Sequence, residues 1–353
     1  VTQSALSQAR QKLKASVFEA LNERLLGSLA TLLPEPRWRG LRRVAADSTT
    51  LRLPAWPENQ AEFGVQSDHP GQPYVLARAL GLFATTSRLM LKAVLGRFDE
   101  TERALLAQRL PHLAGDDLLI LDRGFPAVWL FTLLQQRGLP FLARMDGTPW
   151  SCVERFLLSG QTETVVTLKV SKAAQRQAQA AGMHLIDNAV TLRLIRVVLS
   201  TGTVEVLATS LLDAQTFPAA DFKSLYHARW HIEEAFKVLK HRLNVEQFSG
   251  ELPEAIRQDF HAKLFTANLA EALARSAYDT LPEDKAQRYD PNVTYVLNSL
   301  KTRLVCWLIQ RVSPSQILTL IELYARTLEL KRPDRKAPRP QSRIKPKPRR
   351  QYK

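Results

Sequence analysis

Apolar residues recur at helical spacing through residues 4–33, where Leu6, Leu13, Val17, Leu21, Leu25 and Leu29 can share a face before Pro34 and Pro36 end the run. Residues 42–53, RRVAADSTTLRL, are apolar and β-branched and predict a strand, and the Pro-, Gly-, Asn- and Asp-bearing residues 56–73 predict a loop. Two further strands are expected over 74–85 and 88–95, turning near Thr86 and Ser87, then a helix over 100–113 with Thr101 as its N-cap. Residues 118–121 are wholly apolar, as suits a strand buried on both faces, and Asp122, Gly124 and Pro126 stop it. A helix over 126–137 and a short strand over 141–145 follow. The order of elements predicts an α/β layout with a mixed sheet.

Residues 150–218 break that rhythm. Stretches 162–170, 190–199 and 204–210 read as an antiparallel β-rich insertion with a basic, Gln- and Ala-rich connection near 171–182, and helices are expected over 221–243, 254–280 and 291–330. Within the first of these helices, Tyr226, Arg229, Glu233, Lys237 and Lys240 would fall in an arc of roughly 80° at about 100° per residue. Leu225, Ala228, Ile232, Ala235, Phe236, Leu239 and Leu243 fill the neighbouring arc. One side of this helix is expected to pack into a core, and the adjoining side to present one acid among cations and a phenol.

Composition narrows the partner. The chain has 353 residues, is 45% hydrophobic and carries a formal net charge of +15, which favours an anionic partner, nucleic acid first and an anionic membrane surface second. About two thirds of that net charge lies in residues 331–353, a Pro-rich basic tail expected to be disordered and to act either on a nucleic-acid backbone or as a solubilising segment. No apolar run is long enough to cross a membrane, no signal-peptide pattern is present, and Cys152 and Cys306 form no metal or disulfide framework, so a reducing cytoplasm is expected.

Three acids stand out. Asp47 sits within the first predicted strand, Asp122 ends the buried strand, and Glu233 lies on the late helix. Each has a plain alternative: an Asx turn at Asp47, a strand-ending turn at Asp122, an i, i+4 ion pair of Glu233 with Arg229 or Lys237. If the two strands are neighbours, Asp47 and Asp122 meet, and carboxylates at close range favour Mg²⁺; a third carboxylate completes a two-metal site for phosphodiester chemistry. His227 and His231 share a helix face but lack the Glu and further ligand of a zinc site. Asp116 and Asp117 are expected in a loop, and Glu234 at the surface. Trp230 suits either the edge of the core or a stacking platform for an unpaired base.

The spacing Tyr226-x2-Arg229-x3-Glu233-x6-Lys240 resembles the Y-R-E-K pattern of the insertion-sequence-four family of bacterial DDE transposases. ADSTTLRLP around Asp47 and LLILDRGF around Asp122 look like that family's first and second Asp motifs, and SALSQARQKL and PENQAEFG are similar to it as well. The resemblance runs from about residue 4 to 330. It implies a ribonuclease-H-like mixed sheet flanked by helices, interrupted by the β-rich insertion, with helical N- and C-terminal parts. The expected division is 1–40 helical, 41–149 first part of the catalytic core, 150–218 insertion, 219–330 second part of the core with C-terminal helices, and 331–353 tail.

The resemblance further implies cut-and-paste DNA transposition. Asp47, Asp122 and Glu233 would hold two Mg²⁺ ions, with Mn²⁺ as a substitute. Tyr226, Arg229 and Lys240 would grip phosphates, and Trp230 would meet the distorted DNA terminus. Lys237 joins them on helix geometry alone. The partners implied are double-stranded DNA, as inverted-repeat ends and as target, and a second copy of the chain at synapsis, near the nucleoid and away from membranes. A metal nuclease that cuts without joining, and a non-catalytic DNA-binding derivative, are the alternatives. Only about 46 residues precede Asp47, fewer than the family usually carries, and the chain opens on Val1, so either a shorter helical region recognises the ends or the chain is truncated.

Overall fold

The computed structural model describes residues 2–66, 74–147, 150–309 and 312–331. The basic tail from residue 332 onward lies outside the described residues, as does the 67–73 part of the predicted loop. Nine strands form one twisted sheet: β1 (Arg42–Leu53), β2 (Val65–Gln66), β3 (Tyr74–Ala84), β4 (Leu89–Arg97), β5 (Asp117–Leu121), β6 (Phe141–Met145), β7 (Glu163–Lys169), β8 (Ala189–Val198) and β9 (Val204–Thr209). Their order is β2-β3-β1-β5-β6-β9-β8-β7, with β4 also pairing β3. β1, β5 and β6 are mutually parallel, β3 runs antiparallel to β1, and β4 runs antiparallel to β3. This is the expected mixed sheet flanked by helices. The insertion strands do not form a sheet of their own: β9 pairs antiparallel with β6 and continues the central sheet outward.

Helices α1 (Gln3–Lys12), α2 (Ser16–Leu32), α3 (Pro57–Phe63), α4 (Glu102–Arg109), α5 (Val128–Gln136), α6 (Ser151–Ser159) and α7 (Lys172–Ala180) precede α8 (Phe222–His227) and α9 (Trp230–Lys237). The C-terminal part holds α10 (Pro253–Tyr278), α11 (Glu283–Arg288), α12 (Val293–Ile309) and α13 (Pro314–Arg326), with the short pair β10 (Tyr289–Pro291) and β11 (Leu328–Leu330). One sheet face, with Val44, Ala46, Leu119 and Leu121, packs under α4 and α5. The other, with Ala45, Leu51, Ala77 and Ala79, packs under α9, α10 and α13. Alternation along β1 therefore sends successive side chains to two different cores, which is why this strand is apolar on both faces.

Several expectations change. The N-terminal helix is two, broken at residues 13–15, and α3 lies inside the predicted loop. Asp117 is no loop residue: it opens β5, is fully buried, and pairs with Arg42 through contacts of 2.6 and 2.8 Å. The single helix over 221–243 is α8, then a turn at Ala228 and Arg229, then α9, then a π-helical turn at Val238–Arg242. The tightening at the turn is visible in the bonds Arg229 N to Tyr226 O (3.1 Å) and Ile232 N to Arg229 O (3.1 Å). The five side chains therefore do not lie along one straight stripe.

Candidate active site

The register of the parallel strands sets the site. Ala46 pairs with Leu121 and Leu121 with Ala143, so the next residues, Asp47, Asp122 and Arg144, stand at one level on adjacent strands. Asp47 is opposite Gly81 on β3. A Cβ at Gly81 would lie 2.7 Å from Met90 Sδ and 3.2 Å from Phe236 Cζ, so the missing side chain lets α9 settle on the sheet beside Asp47. That approach brings Glu233 down to the two aspartates.

Arg229 lies in the middle. Its Nη2 is 2.9 Å from Glu233 Oε1 and its Nη1 is 3.6 Å from Asp47 Oδ2. The guanidinium is nearly covered, lies 5.8 Å from the Tyr226 ring and 5.4 Å from the Trp230 ring, and its Nε has no partner. Burial, against the opposing pull of Arg229 and with Asp122 and Glu233 adding negative charge, pushes the Asp47 carboxyl up to about 7. Asp47 Oδ1 accepts from Ser48 N (2.8 Å) within β1, so the alternative of an Asx turn is not formed there, whereas Asp122 Oδ1 accepts from Gly124 N (2.8 Å) in the strand-ending turn, which coexists with the clustering. The Glu233 pair with Arg229 is likewise the i, i+4 bridge named above.

Tyr226 is buried, and burial pushes its phenol up to about 12. Trp230 is 43% exposed beside it, open enough to stack a base. Lys240, in the π-helical turn, donates to Thr49 Oγ1 and to Thr50 O (3.0 Å), pinning β1 just past Asp47. Lys237 makes no ion pair with the three acids. It also lines a cavity of about 500 Å³ with Arg88, His231, Glu234 and Glu271. His231 is turned away to Thr85 O (3.1 Å), and Glu234 is exposed near Arg88 (3.7 Å).

Two residues were missed. Arg144 shares the level of the aspartates and pairs with Glu205 at 2.9 Å. Glu102, at the start of α4, accepts from Ser48 Oγ and pairs with Arg78 (3.1 Å). A Cβ on Gly124 would stand 3.1 Å from both Glu102 Oε2 and Asp122 Oδ1, so a side chain there would crowd both carboxylates. The FLARM run, with one cation among core residues, was a usable signal for Arg144; Glu102 had none.

Hard oxygen donors of this kind suit a divalent ion. Among the described residues, however, no three His, Cys, Asp or Glu side chains stand ready to hold a metal as they are, since Arg229 lies between Asp47 and Glu233. The donor set fits; its present arrangement is closed by an internal cation. No described helix is long and apolar enough to cross a membrane.

Comparison with known proteins now has a geometry to meet. The chain is 28% identical over 276 residues to the transposase InsG for insertion sequence element IS4 of Escherichia coli strain K12, across 76% of this chain and 60% of that protein. It is 26% identical over 141 residues to the putative transposase InsZ of the same organism, across 39% of this chain and 47% of that one. It thus spans less than two thirds of the length of the curated relatives it matches. A solved piggyBac transposase synaptic complex with hairpin DNA superposes with a TM-score of 0.43 at 8% identity, over 80% of this chain and 57% of that one. The family model described as "Transposase DDE domain" matches residues 38–269, which takes in all three acids, and the chain belongs to that family.

Proposed function

We propose that this chain is the catalytic part of a DNA transposase that cuts at the ends of an insertion sequence and joins them to target DNA. The observation that carries this reading is the convergence of Asp47, Asp122 and Glu233 on one end of a mixed sheet, around a single buried arginine. Asp47, Asp122 and Glu233 would hold two divalent ions, Mg²⁺ with Mn²⁺ as a substitute. When bound, the ions activate the attacking oxygen and stabilise the leaving oxygen of a phosphodiester. The chain's own residues do the positioning. Arg229, Tyr226, Lys240 and Arg144 would bind phosphates on either side of the scissile bond, and Trp230 would stack an unpaired base.

Two DNA ends held together require two copies of the chain, so a dimer is expected on DNA, at the bacterial nucleoid. The test is a duplex carrying the inverted repeat that brackets the gene, incubated with purified protein and Mg²⁺ or Mn²⁺. Cleaved and joined products are expected, and Asp122→Asn should lower their yield by at least about a thousandfold while leaving the melting temperature near that of wild type. Cleavage without joining would favour a nuclease. Equal activity of Asp122→Asn would remove the site.

A further inference from the structure

The arginine that resembles a phosphate ligand is not placed to meet a phosphate in the DNA-free protein. It is 6% exposed, walled by Tyr226 and Trp230, and committed to Glu233 and Asp47. Asp122 and Glu233 both bear electrostatically on the largely buried Asp47, so without a cation the three carboxyl groups would oppose one another's ionisation. A guanidinium there does the neutralising that a bound ion would otherwise do. A metal on Glu233 competes with the Arg229 hydrogen bond to Oε1, and a divalent ion beside Asp47 would be repelled by the guanidinium 3.6 Å from Oδ2.

We propose that Arg229 is the internal counterion of the acidic cluster, that it must leave the carboxylates before divalent ions load, and that a DNA phosphate is the ligand that draws it off. The proposal rests on the three-carboxylate reading above. Its logic is an exchange of partners. Arg229 gives up a buried carboxylate and gains a phosphate, which its planar donors match equally well. The carboxylates give up one positive charge and gain divalent ions. Neither half is favourable alone, because each leaves a buried charge unpaired. DNA and metal therefore bind better together than separately, and each raises the other's affinity by the same factor. Its Nε has no hydrogen-bond partner, so the guanidinium is held to the carboxylates through its two Nη groups alone. In the free protein the site is thereby kept from loading ions, and with them from cutting DNA at random.

The experiment is Mn²⁺ binding to the full chain, read by the electron paramagnetic resonance of the free ion, at a pH above the range in which Asp47 titrates. Without DNA, Arg229→Gln should bind Mn²⁺ roughly tenfold or more tighter than wild type, with Arg229→Lys between them. A short blunt duplex should tighten Mn²⁺ binding by the wild type and add much less to Arg229→Gln. Mn²⁺ binding to Arg229→Gln that is equal to or weaker than wild type, yet still abolished by Asp122→Asn, would overturn the proposal and spare the metal site. Binding indifferent to Asp47→Asn and Asp122→Asn would bring down the metal site itself, and this proposal with it. Should Arg229→Gln not fold, Arg229→Lys carries the same comparison, and the wild type alone tests the duplex arm.

Discussion

Gly81 stands opposite Asp47, where any side chain would meet Met90 Sδ at 2.7 Å and Phe236 Cζ at 3.2 Å. Gly81→Ala should therefore push α9 away from the sheet. We expect a stability loss of about 1–3 kcal/mol in urea denaturation, with loss of cleavage at conditions where the variant is still folded. Glu271 gives a second test at this scale. It faces the 500 Å³ cavity behind α9, and burial pushes its carboxyl up to about 7, with Arg88 and Arg275 opposing and Asp290 and Glu234 reinforcing. The folded state thus holds the Glu271 proton more tightly than the unfolded chain does. Its contribution is fully present below the unfolded value and is lost as pH rises toward 7. Glu271→Gln keeps a neutral group at every pH, so its stability relative to wild type should rise between mildly acid and mildly alkaline buffer, by an amount on the order of 2 kcal/mol. Melting curves at the two pH values read the difference; a constant offset would refute it.

At the scale of elements, register is what brings the acids level. Arg42 and Asp117 are paired across β1 and β5, and four steps later Ala46 faces Leu121, so the next residues on each strand are Asp47 and Asp122. A slip of one residue would turn one aspartate to the opposite core. Asp117→Ala leaves Arg42 without its buried partner and should cost about 3 kcal/mol in chemical denaturation. The strands themselves were legible: β1 and β6 have the bounds that their apolar and β-branched runs predicted, and Thr101 caps α4 by accepting from Ala104 N at 3.2 Å. Asp47, Asp122 and Glu233 could be proposed together because each interrupts or adjoins an apolar pattern and lies in a stretch resembling a family motif. The break at Ala228 and Arg229 was not, since the residues from 221 to 243 keep helical periodicity through it. Glu102 and Asp117 escaped for another reason. Their importance comes from which strands become neighbours, and a local pattern does not contain that.

At the scale of the whole molecule, charge and sheet divide the work. The basic residues of 332–353 carry most of the net charge, so removing them should weaken binding to any duplex and flatten the dependence of log affinity on log salt. Cleavage at the correct end, measured at low salt with saturating protein, should survive. The sheet does the opposite kind of work, since it runs unbroken from β1 through β5, β6, β9 and β8 to β7. Neighbouring strands are spaced by about 4.8 Å, so the outer rim of the insertion stands roughly 24 Å from the strand bearing Asp47. That spacing is held by backbone hydrogen bonds, not by a hinge or a linker. The sheet is in effect a ruler graduated in strands. The far rim of the insertion is held at a fixed distance from a zero at the acids, and adding or deleting one hairpin would change that distance in whole-strand steps.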